Sequence, residues 1–343
     1  MEFTFSTVLL ILLILGAINY LTMIARQRLI PQLRADPGAY FQREGFTGDT
    51  KADEESGKNA ENTENPEKTE KEVYLKNDQL YDDFYSSVYD QLTSNGRVTQ
   101  AKVALLINNW KKEGMEPSGM TVLDAGCGTG IASVAFAKMN VKNVIGVDKS
   151  TAMLKRATDV TLQQAKLDEK QKASIDFRHA DLLSPSALGG SSVTHMAALY
   201  FTIYYLRDMD AFFRNAFLWV KPGGQLSVEV VNKYKFDPML ESASPWVGFS
   251  IQKYAKDRIT ESKVVFDTFE YSGNFDLTDP EAEFRETFRF KDGKIRRQKH
   301  TFLMPSITDI VKSAQAAGWK YTKFIDLTIV GFEYSFLLMF RHP

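Results

Sequence analysis

Hydrophobic and polar positions divide the chain into three stretches of different character. From Phe3 to Ala25 there is no charged residue, and Leu, Ile and Val dominate. As a helix this run would span about 35 Å, enough to cross a bilayer, so residues 1–30 are expected to form a membrane anchor. A cleaved signal peptide is the rival reading; against it, the opening Met-Glu-Phe has no basic residue and no small-residue cleavage site follows the apolar core. Gly48 to Glu72 is almost purely charged and polar and cannot bury enough surface to offset ordering, so residues 31–72 read as a disordered linker. Apolar periodicity resumes at Val73. Tyr81, Tyr85 and Tyr89 form one helical stripe, and Leu80, Phe84 and Val88 the stripe beside it. A second helix is expected over Gln100 to Lys111.

The stretch from Thr121 to Ser150 organises the remainder. An apolar run, Val122-Leu123, ends on Asp124, and Gly126, Gly128 and Gly130 follow at alternate positions. A helix-forming run comes next, then the β-rich Val144 to Val147, which ends on Asp148. Strand, glycine turn, helix, strand and acid make a nucleotide-binding βαβ unit. Dinucleotide folds space their glycines as G-x-G-x-x-G, whereas here the third glycine arrives one residue early. The D-x-G-x-G-x-G pattern resembles motif I of the class I S-adenosylmethionine-dependent methyltransferases. Later segments follow that family in order. Ser150 caps a helix running through Met153, Ser174 to Arg178 is a third strand, and Val193 to Tyr205 holds a fourth strand and its loop. After a helix over Met209 to Val220, the turn Lys221-Pro222-Gly223-Gly224 enters a fifth strand ending near Val231.

The resemblance implies S-adenosyl-L-methionine as cofactor. It implies that Asp148 accepts the ribose hydroxyls and that Asp124 faces the cationic methionine end. Asp181 falls where such enzymes carry an acid for the adenine amino group, with Leu182 beside it. The implied cofactor set is therefore Asp124, Gly126, Cys127, Gly128, Gly130, Asp148, Lys149, Met153, Asp181, Leu182 and Tyr200. Tyr85, Tyr89, Tyr204 and Tyr205 are the candidate substrate contacts. His195 stands about where related enzymes have an aspartate, and Tyr204-Tyr205 where they have a histidine pair; both are departures. No general base stands out, and Tyr204, Glu229 and His300 are the candidates. No metal-ligand cluster is expected: the sequence has no CxxC or HExxH pattern and its four histidines are scattered.

Asn232 to Thr301 exceeds a simple crossover. Its β-rich runs and the turn at Lys291 to Lys294 predict an inserted antiparallel cap over residues 232–301. Arg285, Arg289, Arg296, Arg297, Lys299 and His300 make it locally basic, which fits either solvated strand faces or contact with an anionic substrate or lipid headgroups. A helix capped by Ser306 and Asp309 and two last strands complete the family's layout. The expected fold is an α/β class: a seven-stranded, mostly parallel Rossmann-like sheet with helices on both faces, an inserted β cap and one N-terminal transmembrane helix. Residues 73–343 would form the methyltransferase domain.

Composition alters this picture little. Net charge is −1 over 343 residues, with no basic-aromatic stripe, so a nucleic-acid partner is not expected. The single cysteine, Cys127, suits a reducing compartment. Arg26, Arg28 and Arg34 follow the apolar segment and only Glu2 precedes it, which places the bulk of the chain in the cytoplasm as a single-pass membrane protein. The reading is a membrane-anchored methyltransferase acting on a small-molecule or lipid-like acceptor. A protein methyltransferase and a catalytically silent, cofactor-binding scaffold remain as alternatives, and the oligomeric state is open. Asp148→Ala should abolish adenosylmethionine binding in a calorimetric titration, because it removes the ribose contacts.

Overall fold

The computed structural model describes residues 72–76, 79–93, 96–238 and 258–343. The expected membrane anchor and nearly all of the linker lie outside the described residues. Among the described residues no helix is long and apolar enough to cross a membrane.

The order is β1 (Glu72–Lys76), α1 (Asp83–Thr93), α2 (Gly96–Lys112), β2 (Thr121–Ala125), α3 (Ile131–Lys138), β3 (Asn143–Asp148) and α4 (Thr151–Arg156). Then follow β4 (Ile175–His179), β5 (Val193–Ala198), α5 (Thr202–Tyr205), α6 (Met209–Trp219) and β6 (Val220–Val231). The chain continues with β7 (Glu261–Val265), β8 (Phe269–Thr278), β9 (Glu281–Phe290) and β10 (Ile295–Leu303). It closes with α7 (Ile307–Ala316), β11 (Lys320–Asp326) and β12 (Ser335–Arg341).

Seven strands form the main sheet in the order β11-β12-β6-β5-β2-β3-β4. The pairs from β6 to β4 are all parallel, and β12 runs antiparallel to both of its neighbours. The central strands are buried along most of their length, as covered parallel strands must be. On α2, Val103, Leu106, Ile107 and Trp110 recur at helical spacing and are all buried, so this face packs on the sheet. Trp110 stacks on Phe136 at 5.8 Å and meets His195 at 4.6 Å between ring centroids.

A second sheet of five strands, β1-β10-β9-β8-β7, is the expected cap. Its turn lies where the sequence predicts it, closed by Phe290 N–H to Lys294 O at 2.9 Å. Its membership differs from expectation. Glu72–Lys76 pairs with Ile295–Lys299 in parallel, so residues assigned to the end of the linker and the start of the domain form an edge strand. Strand β10 also runs past Thr301 to Leu303. The basic residues of the cap are largely matched by acids: Arg285 with Asp276 and Glu283, Arg296 with Asp82, Arg297 with Glu72, and Lys299 with Glu283. Those pairs weaken the case for a free cationic face.

One buried ion pair locks the edge of the main sheet where ligands bind. Lys102 Nζ on α2 lies 2.6 Å from Glu229 Oε1 on β6, and both side chains are almost wholly buried. Glu229 Oε2 accepts the Tyr200 N–H at 2.8 Å, and Lys102 sits 4.2 Å above the Tyr200 ring. Tyr200 needs this support because its φ is +57°, a conformation that strains a side-chain-bearing residue by about 1–3 kcal/mol. Lys102→Met should cost about 3–5 kcal/mol in urea denaturation, since it leaves the Glu229 carboxylate buried without its cation.

Candidate active site

The site forms where β2 and β3 end and their glycine and Ser150 turns begin. Gly126 adopts φ +70°, and a Cβ there would lie 2.7 Å from the Thr202 side chain, so only glycine allows α5 to approach the loop. The Gly126 and Cys127 N–H groups donate to Val147 O at 2.8 and 3.0 Å, which lays the loop across the end of β3. Asp148 then joins two turns. Its Oδ2 accepts from Gly128 N–H at 2.9 Å and its Oδ1 from Ser150 N–H at 2.8 Å. Burial raises its carboxyl, against those hydrogen bonds.

Asp124 is deeper, with Oδ2 accepting from Ser133 Oγ at 2.6 Å. Burial pushes its carboxyl up to about 6, and no cation pairs with it among the described residues. An unpaired buried carboxylate beside a glycine cradle fits a cationic ligand such as adenosylmethionine, whose positive charge would offset the desolvation. The cradle itself has space, because a Cβ on Gly128 would meet nothing within 4 Å. Cys127 is buried and its thiol is driven up, chiefly by burial, so it serves the loop through its backbone.

Helix α1 is fastened over this loop. Asp90 accepts from Thr129 Oγ1 at 2.5 Å and from Arg156 Nε at 3.2 Å, while Ser150 Oγ donates to Tyr81 O at 2.8 Å. The tyrosine stripe is present, with Tyr81–Tyr85 and Tyr85–Tyr89 centroids 5.6 and 5.8 Å apart. The adjoining stripe reaches the cap, where Phe84 packs edge-on against Phe269, Phe288 and Phe290. Met153 is buried in this cluster between α1 and the cap. Asp181 is partly exposed, accepts from Leu183 N–H at 2.9 Å and faces Lys149 Nζ at 3.7 Å; Leu182 is buried beside it.

Two of the three general-base candidates are committed elsewhere. Tyr204 is buried, and its hydroxyl accepts the Val231 N–H at 2.8 Å. Glu229 is held by Lys102 and the Tyr200 backbone. Neither group is free to take a proton, because each stabilises the β6 edge. His195 lies near the start of β5, and burial lowers it to about 4. His300 remains, buried on the cap's inner face, with Tyr205 Oη 2.7 Å from its Nδ1 and Tyr85 Oη 3.4 Å from its Nε2. Its partner Glu286, 2.6 Å from Nε2, was not anticipated. The signal was present: alternation along β9 sets Glu286 in one row with Ala282, Phe284 and Phe288. The tethers Asp90 and Thr129 carried no local signal.

The βαβ loop, its two terminal acids and the order of the seven strands define the class I S-adenosylmethionine-dependent methyltransferase fold. Residues 122–224 match the family model described as a methyltransferase domain. It is 24% identical to phosphoethanolamine N-methyltransferase 1 of Arabidopsis thaliana over 72% of this chain and 49% of that protein, so it spans about half the length of this curated relative. An S-adenosylmethionine-dependent methyltransferase of Clostridium acetobutylicum superposes with TM-score 0.55 at 16% identity, covering 75% of this chain and 97% of that one. CalS10, an amino pentose methyltransferase of Micromonospora echinaspora, gives TM-score 0.51 at 16% identity over 75% and 96%.

The Asp124 carboxyl binds its proton near pH 6 when folded and near pH 4 when unfolded, so its contribution to stability falls as pH rises from about 4 to 6. Asp124→Asn should therefore be more stable than the wild type at pH 7, by up to about 3 kcal/mol. That gain should vanish near pH 4 in paired denaturation curves.

Proposed function

We propose that the chain transfers the methyl group of S-adenosylmethionine to a small molecule held between the glycine loop and the cap. The carrying observation is the fastening of α1, tied by Asp90 and the Tyr81 carbonyl to the cofactor turns and by Phe84 to the cap. A lid attached on both sides suits a small enclosed acceptor better than a protein surface. The names of the Arabidopsis relative and of CalS10 support the same reading.

When bound, the sulfonium cofactor supplies an electrophilic methyl group with a neutral thioether as leaving group. Asp148 would hold the ribose, and Asp124 would offset the cationic end. The tyrosines of α1 and α5 would exclude water and orient the acceptor, and alignment of this kind supplies most of the barrier reduction in such displacements. We further propose that Phe3 to Ala25 anchors the chain in a membrane with the described domain on the cytoplasmic side, as the uncharged run and the following arginines suggest.

Calorimetric titration with adenosylmethionine, S-adenosylhomocysteine and NAD(H) tests the cofactor. Micromolar binding of the first two alone is expected, and binding of NAD(H) alone would overturn the reading. Labelled methyl transfer into the small-molecule fraction of an extract should follow; transfer only into protein would favour a protein acceptor, and none at all a silent scaffold. Deleting residues 3–25 should move the chain from the carbonate-resistant membrane pellet to the supernatant. Equal partition of both forms would remove the anchor.

A further inference from the structure

The inner face of the cap carries polar residues where a sheet normally presents apolar ones. Along β10 the buried positions are Arg296, Gln298, His300 and Phe302, and β9 sets Glu286 opposite Gln298. Glu286 accepts from Tyr271 Oη at 2.7 Å and from Gln298 Nε2 at 2.6 Å, and its Oε2 lies 2.6 Å from His300 Nε2. Gly273, paired with Glu286 across the ladder, leaves room for the Tyr271 hydroxyl, which a Cβ there would approach to 2.6 Å. Burial opposes ionisation of Glu286, but His300, Tyr271 and Gln298 outweigh it and hold the carboxyl below its usual range.

An ionised carboxylate only accepts, so the hydrogen-bond pattern assigns a proton to His300 Nε2. In the neutral ring Nδ1 is then an acceptor, and the Tyr205 hydroxyl donates to it at 2.7 Å. The Tyr205 ring also packs edge-on against Tyr81, 5.9 Å between centroids, on the segment fastened to Ser150. A chain of hydrogen bonds therefore runs from Tyr205, beside the lid, through His300 to Glu286. Its outer end is accessible: Tyr205 is 36% exposed, and Tyr81 and Tyr89 are half-buried.

We propose that this chain is the proton exit for the methyl acceptor, and that the acceptor is an amine arriving as an ammonium ion among the Tyr81, Tyr89 and Tyr205 rings. The inference rests on the methyltransferase reading and names the acceptor class for that site. The ring faces attract a cation, and the ionised Glu286 behind them adds to the attraction. An ammonium has no lone pair and must lose a proton before it can attack. Its N–H bond breaks as the proton passes to the Tyr205 oxygen, while the Tyr205 proton passes to His300 Nδ1. The resulting imidazolium is held by Glu286. The freed lone pair forms the N–CH3 bond as the S–CH3 bond breaks, and sulfur keeps that electron pair. The imidazolium then returns a proton from Nδ1 to the Tyr205 oxygen as the Tyr205 proton leaves to solvent at its exposed end. Burial drives the Tyr205 phenol up, so it passes the proton on rather than holding the charge. The titratable groups facing His300 are Glu286 on β9, Tyr205 on α5, Tyr85 on α1 and Tyr81 just before it. Arg296 reaches it only through Gln298, to which its Nε donates at 2.8 Å.

Two measurements test this on the full-length protein. In 15N-histidine NMR, neutral His300 should be the Nε2–H tautomer, and Tyr205→Phe should shift its Nδ1 resonance. The opposite tautomer, or an Nδ1 signal unmoved by Tyr205→Phe, would overturn the chain. In methyl-transfer assays with ethanolamine, phosphoethanolamine and a 3-aminosugar, Tyr205→Phe and His300→Asn should lose about 100-fold in kcat/KM near pH 7. They should recover near pH 9, where the amine sheds its own proton, with S-adenosylhomocysteine affinity unchanged. A loss equal at all pH values would mean a structural role and overturn the proton exit. If a wild type that binds S-adenosylhomocysteine methylates none of these amines, the amine assignment falls. If the wild type does not bind S-adenosylhomocysteine, the methyltransferase reading falls instead, and the NMR result still judges the hydrogen-bond chain.

Discussion

The geometry of the cofactor region depends on a carboxylate that must satisfy two backbone turns at once. Asp148 accepts from Gly128 in the first turn and from Ser150 in the second, so the turns after β2 and β3 cannot move independently. Ser150 also caps α4 by accepting from Met153 N–H at 3.1 Å, and its hydroxyl reaches the Tyr81 carbonyl. Loop, helix start and lid thus share one short network. The position of the tyrosines above the site is inherited from the end of β3.

A second network sets the opposite wall. Tyr200 is kept in a strained backbone conformation by Glu229, which is itself fixed by Lys102 in the core. Buried charge pairs contribute little net stability, and their retention is better explained by the conformation they specify. Here that conformation turns the chain sharply after β5, and α5 and Tyr205 follow from the turn. Two acids, Asp148 and Glu229, thus position opposite sides of the same space through backbone N–H groups. Asp124, on the strand between them, has no cation paired with it among the described residues.

Much of the main sheet was legible because local chemistry and global fold agree there. Glycine spacing and acids at strand ends each depend on a few adjacent residues and appear where the pattern puts them, whereas Lys221–Gly224, expected as a turn before the strand, lies inside β6 as an irregularity in its pairing with β5. The helix of Tyr85 and Tyr89 was legible from its period, and both stripes proved to have partners. The cap's chemistry was harder to read. Strand β10 alternates polar with polar, Arg296-Gln298-His300 inward and Arg297-Lys299 outward, so hydropathy could not tell its faces apart. Glu229 and Tyr204 misled for the reverse reason. Their residue types and strand-end positions suit catalysis, but their partners, Lys102 and the Val231 N–H, lie 127 and 27 residues away. Only packing reveals such pairings.

The cap joins the two ends of the described chain. Strand β1 and the start of α1 precede the cofactor loop, yet they pair with β10 and with Arg296, 214 residues beyond Asp82. A nascent chain therefore exposes its glycine loop and central strands long before the lid has anything to rest on. Contacts of such sequence separation form late, because the loop they close is long. Until β8 and β9 have been synthesised, the Tyr81–Tyr89 helix lacks the phenylalanines that Phe84 packs against. The tyrosine side of the site is thus completed only after the cap strands are made, while β12, made later still, completes the main sheet beside β6.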